Sequence, residues 1–198
     1  MGKIIASVST TLDGAFTGPS GDEDNMVSWA MPGVIDAMDD NLAMFQKAEA
    51  LLMGRVTYTG FATYWPYQEG AWADAMNKTP KYVASRNKEL QDVQWGDYND
   101  TIFLLDGGLS QAVSKLKSEI NGSIVIPASA DLIQSLMNAG LVDELSMIVH
   151  PVILGSGRRY FENMADRHDM KLLSTKLYET SGSIRLRYEI IKKKSRIG

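Results

Sequence analysis

The stretch Leu51-Leu52-Met53-Gly54-Arg55-Val56-Thr57-Tyr58 sets the reading of the whole chain. Its three apolar residues form a short buried strand, Gly54 permits a sharp turn, and a helix begins within a residue or two of Val56. Where a strand runs through a turn into a helix, free backbone N–H groups and the positive end of the helix dipole converge, which favours an anion. Arg55 adds a planar fork suited to phosphate, and Thr57 adds a hydroxyl. The plainer alternative is a βα turn carrying a surface arginine, and these residues alone leave both readings open.

The rest of the chain suits one α/β domain. It has 198 residues, of which 44% are apolar and 22% charged. A net charge of −4 offers no overall attraction for nucleic acid or an anionic membrane. With no cysteine, disulfides, thiolate nucleophiles and cysteine-bound metals are excluded, and His150 and His168 are too few to build a metal centre with ease. No basic leader with a long apolar stretch opens the chain, and no apolar run reaches the ~20 residues of a membrane helix, so a cytoplasmic protein is expected. The basic tail from Lys192 to Arg196 reads as a solvated end.

Strands are expected at Lys3–Val8, Leu51–Met53, Pro80–Arg86, Thr101–Leu105, Ile124–Ile126 and Met147–Val149. Helical periodicity runs from Ile35 through Met38, Leu42 and Phe45 to Glu49, with Pro32 and Gly33 just ahead of the start. Further helices follow Gly107-Gly108 and carry Leu132, Ile133, Leu136 and Met137. This alternation implies βαβ units and a largely parallel sheet. Leu172–Leu177 and Ile184–Ile190 close the chain as two strands. In the second, Ile184, Leu186, Tyr188 and Ile190 alternate with Arg185, Arg187 and Glu189, the pattern of an antiparallel strand with one wet face. Pro151 marks a strand end or bulge.

Several polar and aromatic groups stand out, each with a plain alternative. Asp13 before Gly14 either lines a site or closes its own Asx-turn, and Gly18-Pro19-Ser20-Gly21-Asp22 continues as loop. Asp36, Asp39 and Asp40 form an acidic helix face that solvation explains without catalysis. Phe61, Tyr64, Trp65 and Tyr67, with Trp72 after them, are either a plug closing the sheet or a wall for a flat ring. Ser85 and Arg86 fall beyond the carboxyl end of a strand, where open α/β sheets bind ligands. His150 has no evident carboxylate partner in the sequence and reads as a structural residue.

Taken together, strand-Met53-Gly54-Arg55-Val56-Thr57-Tyr58, Leu12-Asp13-Gly14 with Gly18-Pro19, Tyr64-Trp65-Pro66, Gly140-Leu141-Val142-Asp143-Glu144-Leu145 and His150-Pro151-Val152-Ile153-Leu154-Gly155-Ser156-Gly157-Arg158 resemble the dihydrofolate reductase superfamily. Within it, the chain is most similar to the reductase-domain family named for the C-terminal half of the bacterial riboflavin-pathway deaminase-reductase RibD. The resemblance runs from Ile4 to Tyr188. It implies a dihydrofolate reductase-like three-layer α/β/α fold, with a mostly parallel central sheet and antiparallel C-terminal strands.

It also implies an NADPH-dependent reductase that passes hydride from nicotinamide C4 to a C=N or C=O bond, chemistry that requires no metal. Gly54, Arg55, Thr57, Ser85 and Arg86, with Ala128, Ser129 and Ala130 of a second turn, then form the cofactor site, while Asp13, Asn41, Phe45, Tyr64 and Trp65 line the substrate side. Asp13 and Asn41 are the candidates for a catalytic role. The substrate is a small heterocyclic, carbonyl or imine compound, as in reduction of 5-amino-6-(5-phosphoribosylamino)uracil, and members of this branch are commonly homodimers.

Two departures from the resemblance matter. True dihydrofolate reductases carry a carboxylate on the first long helix, and Asn41 aligns with it. An amide cannot form the charged two-pronged pairing a pterin takes, so dihydrofolate is not the expected substrate. The family's glycine-rich turn is replaced by Pro127-Ala128-Ser129-Ala130-Asp131. Alanine resists positive φ and its methyl narrows the approach of a pyrophosphate; Ser129 caps the helix by itself; Asp131 suits the helix start but repels a phosphate. These departures motivate a rival reading, a non-catalytic dimeric ligand-binding or scaffold protein. A flavin-type cofactor in the same cleft ranks below both.

Overall fold

The computed structural model describes residues 1–18, 25–86, 94–162 and 164–192. The expected loop at 19–22 and most of the basic tail, 193–196, lie outside them. Eight strands form one sheet: β1 Lys3–Thr11, β2 Ala48–Gly54, β3 Lys81–Ala84, β4 Ile102–Leu104, β5 Ser123–Pro127, β6 Glu144–His150, β7 Met170–Tyr178 and β8 Ser183–Ile190. Among the described residues six α-helices accompany them: α1 Asn25–Asp36, α2 Met38–Gln46, α3 Arg55–Ala62, α4 Ala71–Lys78, α5 Leu109–Glu119 and α6 Ala130–Asn138. The strand order is β4-β3-β2-β5-β1-β6-β8-β7. The strands from β4 through β6 pair in parallel, and β8 runs antiparallel to both β6 and β7.

Period-two alternation divides the core into layers. Ile4, Ala6, Val8, Leu52, Ile124 and Ile126 face α5 and α6. On the other side, Leu51, Met53, Val83 and Val125 meet Phe45 of α2, Tyr58 of α3 and Met76 of α4. Lys81, fully buried at the start of β3, donates to the carbonyls of Asn77 and Thr79 and to Thr101 Oγ1, and lies 4.7 Å from the Trp95 ring centroid. Desolvation pushes its amine down to about 7.

Three sequence expectations change. The first strand extends past Val8 because Ser9, Thr10 and Thr11 pair with Ile148, Val149 and His150 of β6. The helix expected after Gly33 is instead two helices, with Pro32 inside α1, a break at Ala37, and Glu49 in β2. Gly33 is there for contact rather than as a breaker: a Cβ on it would lie 2.3 Å from Ser183 Oγ and 2.6 Å from the His150 ring. Trp29, one turn earlier, meets the same ring edge-on at 5.3 Å. Long-range packing on the sheet thus carries α1 through two local break signals.

The alternation expected for β8 holds at its end, where Glu189 is exposed and Ile190 buried, but reverses at its start. There Arg185, on the face expected to be wet, is buried, and Ile184 is 41% exposed. Arg187, partly exposed, pairs with the buried Glu144. On β7, Leu172 and Leu177 are 50% and 57% exposed.

Candidate functional site

Parallel strands bring their carboxyl ends to one rim, and the helices that follow start there. β2 ends at Gly54 and α3 begins at Arg55; β5 ends at Pro127 and α6 begins at Ala130. Gly54 does not make the expected sharp turn. Its backbone is extended, φ −74° and ψ 157°, and an added Cβ would stand in ordinary contact, 3.5 Å from Ser129 Oγ.

The unusual turn is the other one. Ala128 and Ser129 both adopt the left-handed region, with φ of 56° and 70°, although neither is glycine. Alanine resists positive φ, yet the chain keeps a glycine-like backbone path here without the glycines. Ser129 sits at the N-cap position of α6 but makes no capping bond with its side chain. Its Oγ instead accepts the Gly54 N–H at 3.1 Å and donates to Thr57 Oγ1 at 2.6 Å. In this backbone conformation the hydroxyl reaches across to the neighbouring turn, tying the starts of α3 and α6 together.

For Ala130 the expectation is corrected. It is buried in the core with Leu132 and Ile133, so its methyl is taken up by packing. Asp131 does not stand as an isolated repulsive charge, because Arg158 Nη2 donates to its Oδ1 at 2.5 Å. Beside β2, the register places Ala84 opposite Gly54, so Ser85 and Arg86 leave β3 at the same rim where Arg55 opens α3. Arg55 and Arg86 are exposed. The rim therefore gathers two helix starts without side-chain caps, two hydroxyls and several arginines, a donor set suited to phosphates.

At the loop after β1, Asp13 ties two loops together. It accepts from Thr11 Oγ1 at 2.7 Å, from the N–H of Leu154 at 3.3 Å and from that of Gly155 at 2.9 Å. The Thr11 hydroxyl above all holds its carboxyl below the usual range, so at neutral pH it is an acceptor and not a proton donor. Asn41 Oδ1 accepts from the Arg185 guanidinium, joining α2 to β8. Nearby, Asp40 takes bonds from Lys176 at 2.6 Å and from the Tyr178 hydroxyl at 2.7 Å. His150 is buried, its Nδ1 lies 3.2 Å from Ser183 Oγ, and burial pushes its pKa down to about 4, so the ring is neutral.

The aromatic residues form a packed group. Trp65 stacks on Trp72 at 5.9 Å, Phe45 lies 5.4 Å from Trp72, and Tyr64 meets Trp65 edge-on at 5.1 Å. Phe45 is buried in the core, whereas Tyr64 remains 54% exposed. Trp65 is half-buried against Phe61, Tyr64 and Trp72, and the outward aromatics are Tyr64 and Tyr67.

Sequence reading assigned no role to Arg158 or Arg185. Arg158 stands 27 positions from Asp131, and Arg185 stands 144 from Asn41. No local spacing signals either contact. Among the described residues, no group of His, Cys, Asp or Glu is placed to hold a metal ion, and no helix is long and apolar enough to cross a membrane.

The family described as the RibD C-terminal domain matches residues 2–183. "Uncharacterized protein YyaP" of Bacillus subtilis strain 168 is 29% identical over 191 residues, covering 94% of each chain. Among solved structures, RibD of Acinetobacter baumannii superposes with a TM-score of 0.67 at 18% identity, over 96% of this chain and 58% of that one. Dihydrofolate reductase from Enterococcus faecalis, solved with NADP(H), superposes with a TM-score of 0.62 at 13% identity, over 96% and 97%. At these identities the structures speak for the fold, which is dihydrofolate reductase-like.

The left-handed turn makes a test of opposite signs. Ala128→Gly relieves a strained φ worth about 1–2 kcal/mol, partly offset by added chain freedom, and is expected to raise Tm by a few degrees. Ala130→Gly removes a core methyl from the first turn of α6 and is expected to cost about 1 kcal/mol or more. Thermal melts of the two variants check this; a lower Tm for Ala128→Gly would contradict the strained conformation.

Proposed function

The chain belongs to the RibD C-terminal domain family, and from that membership and the joined helix starts we propose that it is an NADPH-dependent reductase. The observation that carries this reading is the Ser129 hydroxyl linking Gly54 and Thr57, because it fixes two helix N-termini side by side at one rim. A pyrophosphate seated there gains both dipole ends and their N–H groups. Arg55 takes the 2′-phosphate, with Ser85 and Arg86 beside it. The bound cofactor supplies hydride from nicotinamide C4.

The remaining work falls to this chain's own residues. Asp13 keeps the loop after β1 against residues 154–155, shaping the nicotinamide side. Tyr64 and Trp65 offer ring faces to a flat substrate. The Asn41 amide, already engaged by Arg185, presents no carboxylate to a pterin, so the substrate class is a small heterocycle or a carbonyl or imine compound, not dihydrofolate. An aminopyrimidine of the riboflavin route is the family-level example, and the setting is cytoplasmic. The rival scaffold reading draws on the altered turn and on the missing helix carboxylate, and the glycine-like backbone at Ala128 and Ser129 weighs against the first of these.

A homodimer belongs to the same proposal. The exposed apolar side chains of Leu172 and Leu177 on β7 and of Ile184 on β8 support it. Light scattering is expected to give a dimer that Leu177→Lys converts to monomer; a monomeric unmutated protein would rule this interface out. For the cofactor, calorimetry is expected to show NADPH binding more tightly than NADH, with Arg55→Ala erasing most of the preference. A charge-assisted contact of this kind is worth about 1.5–3 kcal/mol, roughly 10- to 150-fold. Equal affinity of the unmutated protein for both would remove Arg55 from the 2′-phosphate.

A further inference from the structure

Two loops at the rim are closed against each other along their length. Leu12 N–H donates to the Val152 carbonyl at 2.8 Å, Phe16 N–H to the Arg158 carbonyl at 2.9 Å, and Arg158 N–H to Thr17 Oγ1 at 3.0 Å. Gly157, at φ 100°, presses on the Thr17 backbone so closely that a Cβ would stand 2.0 Å from its carbonyl oxygen. Arg159 Nε donates to the Asp13 carbonyl at 3.0 Å. The backbone of Arg158 is thereby fixed.

Its guanidinium reaches from this double loop to the first turn of α6. There it bonds Asp131, two residues beyond Ser129, while lying 5.4 Å from the Phe16 ring centroid. Both side chains are open to solvent, Arg158 at 55% and Asp131 at 79%, so the ion pair is weakly held. A pyrophosphate offers the same guanidinium more charge and a matching set of oxygens. The ring of Phe16 keeps the cation near the rim whichever partner it takes.

Resting on the dinucleotide reading above, we propose that Arg158 is a pyrophosphate-binding residue held in reserve by Asp131. On cofactor binding the guanidinium exchanges the Asp131 carboxylate for the pyrophosphate. Asp131 thus weakens binding as a competitor for Arg158, and Arg158 is the cation that replaces what the family's glycine turn supplied by close backbone approach. It also couples the cofactor to the loops that border the nicotinamide, because its backbone is part of them.

The test compares NADP+ with adenosine 2′-monophosphate, which carries the 2′-phosphate and no pyrophosphate. Affinities are measured by calorimetry, or by competition for the weaker ligand. Arg158→Ala is expected to weaken NADP+ by roughly 10- to 100-fold and to leave adenosine 2′-monophosphate within about twofold, with Arg158→Lys in between. Asp131→Asn is expected to tighten NADP+ about threefold or more and to leave the mononucleotide unchanged. Arg158→Ala with unchanged NADP+ affinity overturns the proposal, as does equal loss for both ligands or an Asp131→Asn variant that binds NADP+ no better. If the unmutated protein binds neither ligand at millimolar concentration, the dinucleotide reading itself fails; if it binds both and Arg158→Ala changes neither, only the role of Arg158 does.

Discussion

The bond from the Gly54 N–H to Ser129 Oγ, continued by that hydroxyl to Thr57, holds the rim in shape. Two adjacent non-glycine residues in the left-handed region cost on the order of 2–4 kcal/mol together. Two net hydrogen bonds of about 1 kcal/mol each offset a good part of this. The rest comes from the frame. β5 is held on both sides by parallel partners, the Ala128 N–H donates to the Ser7 carbonyl at 3.1 Å, and α6 is anchored by Ile133, Leu136 and Met137 in the core. Strain of this kind persists where the surroundings over-determine it, and such places are commonly ligand sites.

The charged groups around the rim follow the same economy of position. Asp131 opens α6 and favours its dipole, but it stands where an anion would come. Arg158 meets it from a loop stiffened by Asp13, Gly157 and Thr17. The positive side chains therefore reach the rim from α3, from the end of β3 and from the loop after β6. Each arrives on a differently constrained piece of backbone.

Much of this fold was legible in the sequence because buried parallel strands are continuous apolar runs, as at Leu51-Leu52-Met53 and Ile124-Val125-Ile126. The Gly54-Arg55-Val56-Thr57 stretch was legible as a strand running into a helix for the same reason. What was not legible depended on distant partners. Pro32 and Gly33 look like breakers until His150 and Ser183 are seen against Gly33. Alternation in β8 shows two faces but not that Arg185 on the charged one is buried, where it pairs with Asn41 of α2. At Ala128 the side chain was read for its own preference, while the frame around β5 sets the conformation. Fold membership follows from local pattern, whereas the contacts of Ser129 and Arg158 depend on residues distant in the chain.

The measurement that bears most directly on this account is a crystal structure of the protein with NADP+ bound. The account expects the pyrophosphate between the first turns of α3 and α6, with Ala128 and Ser129 still left-handed and Ser129 Oγ still bonded to Gly54 and Thr57. A dinucleotide bound elsewhere, or a turn that flips out of the left-handed region to admit it, would contradict the claim that this serine-linked turn is the cofactor seat.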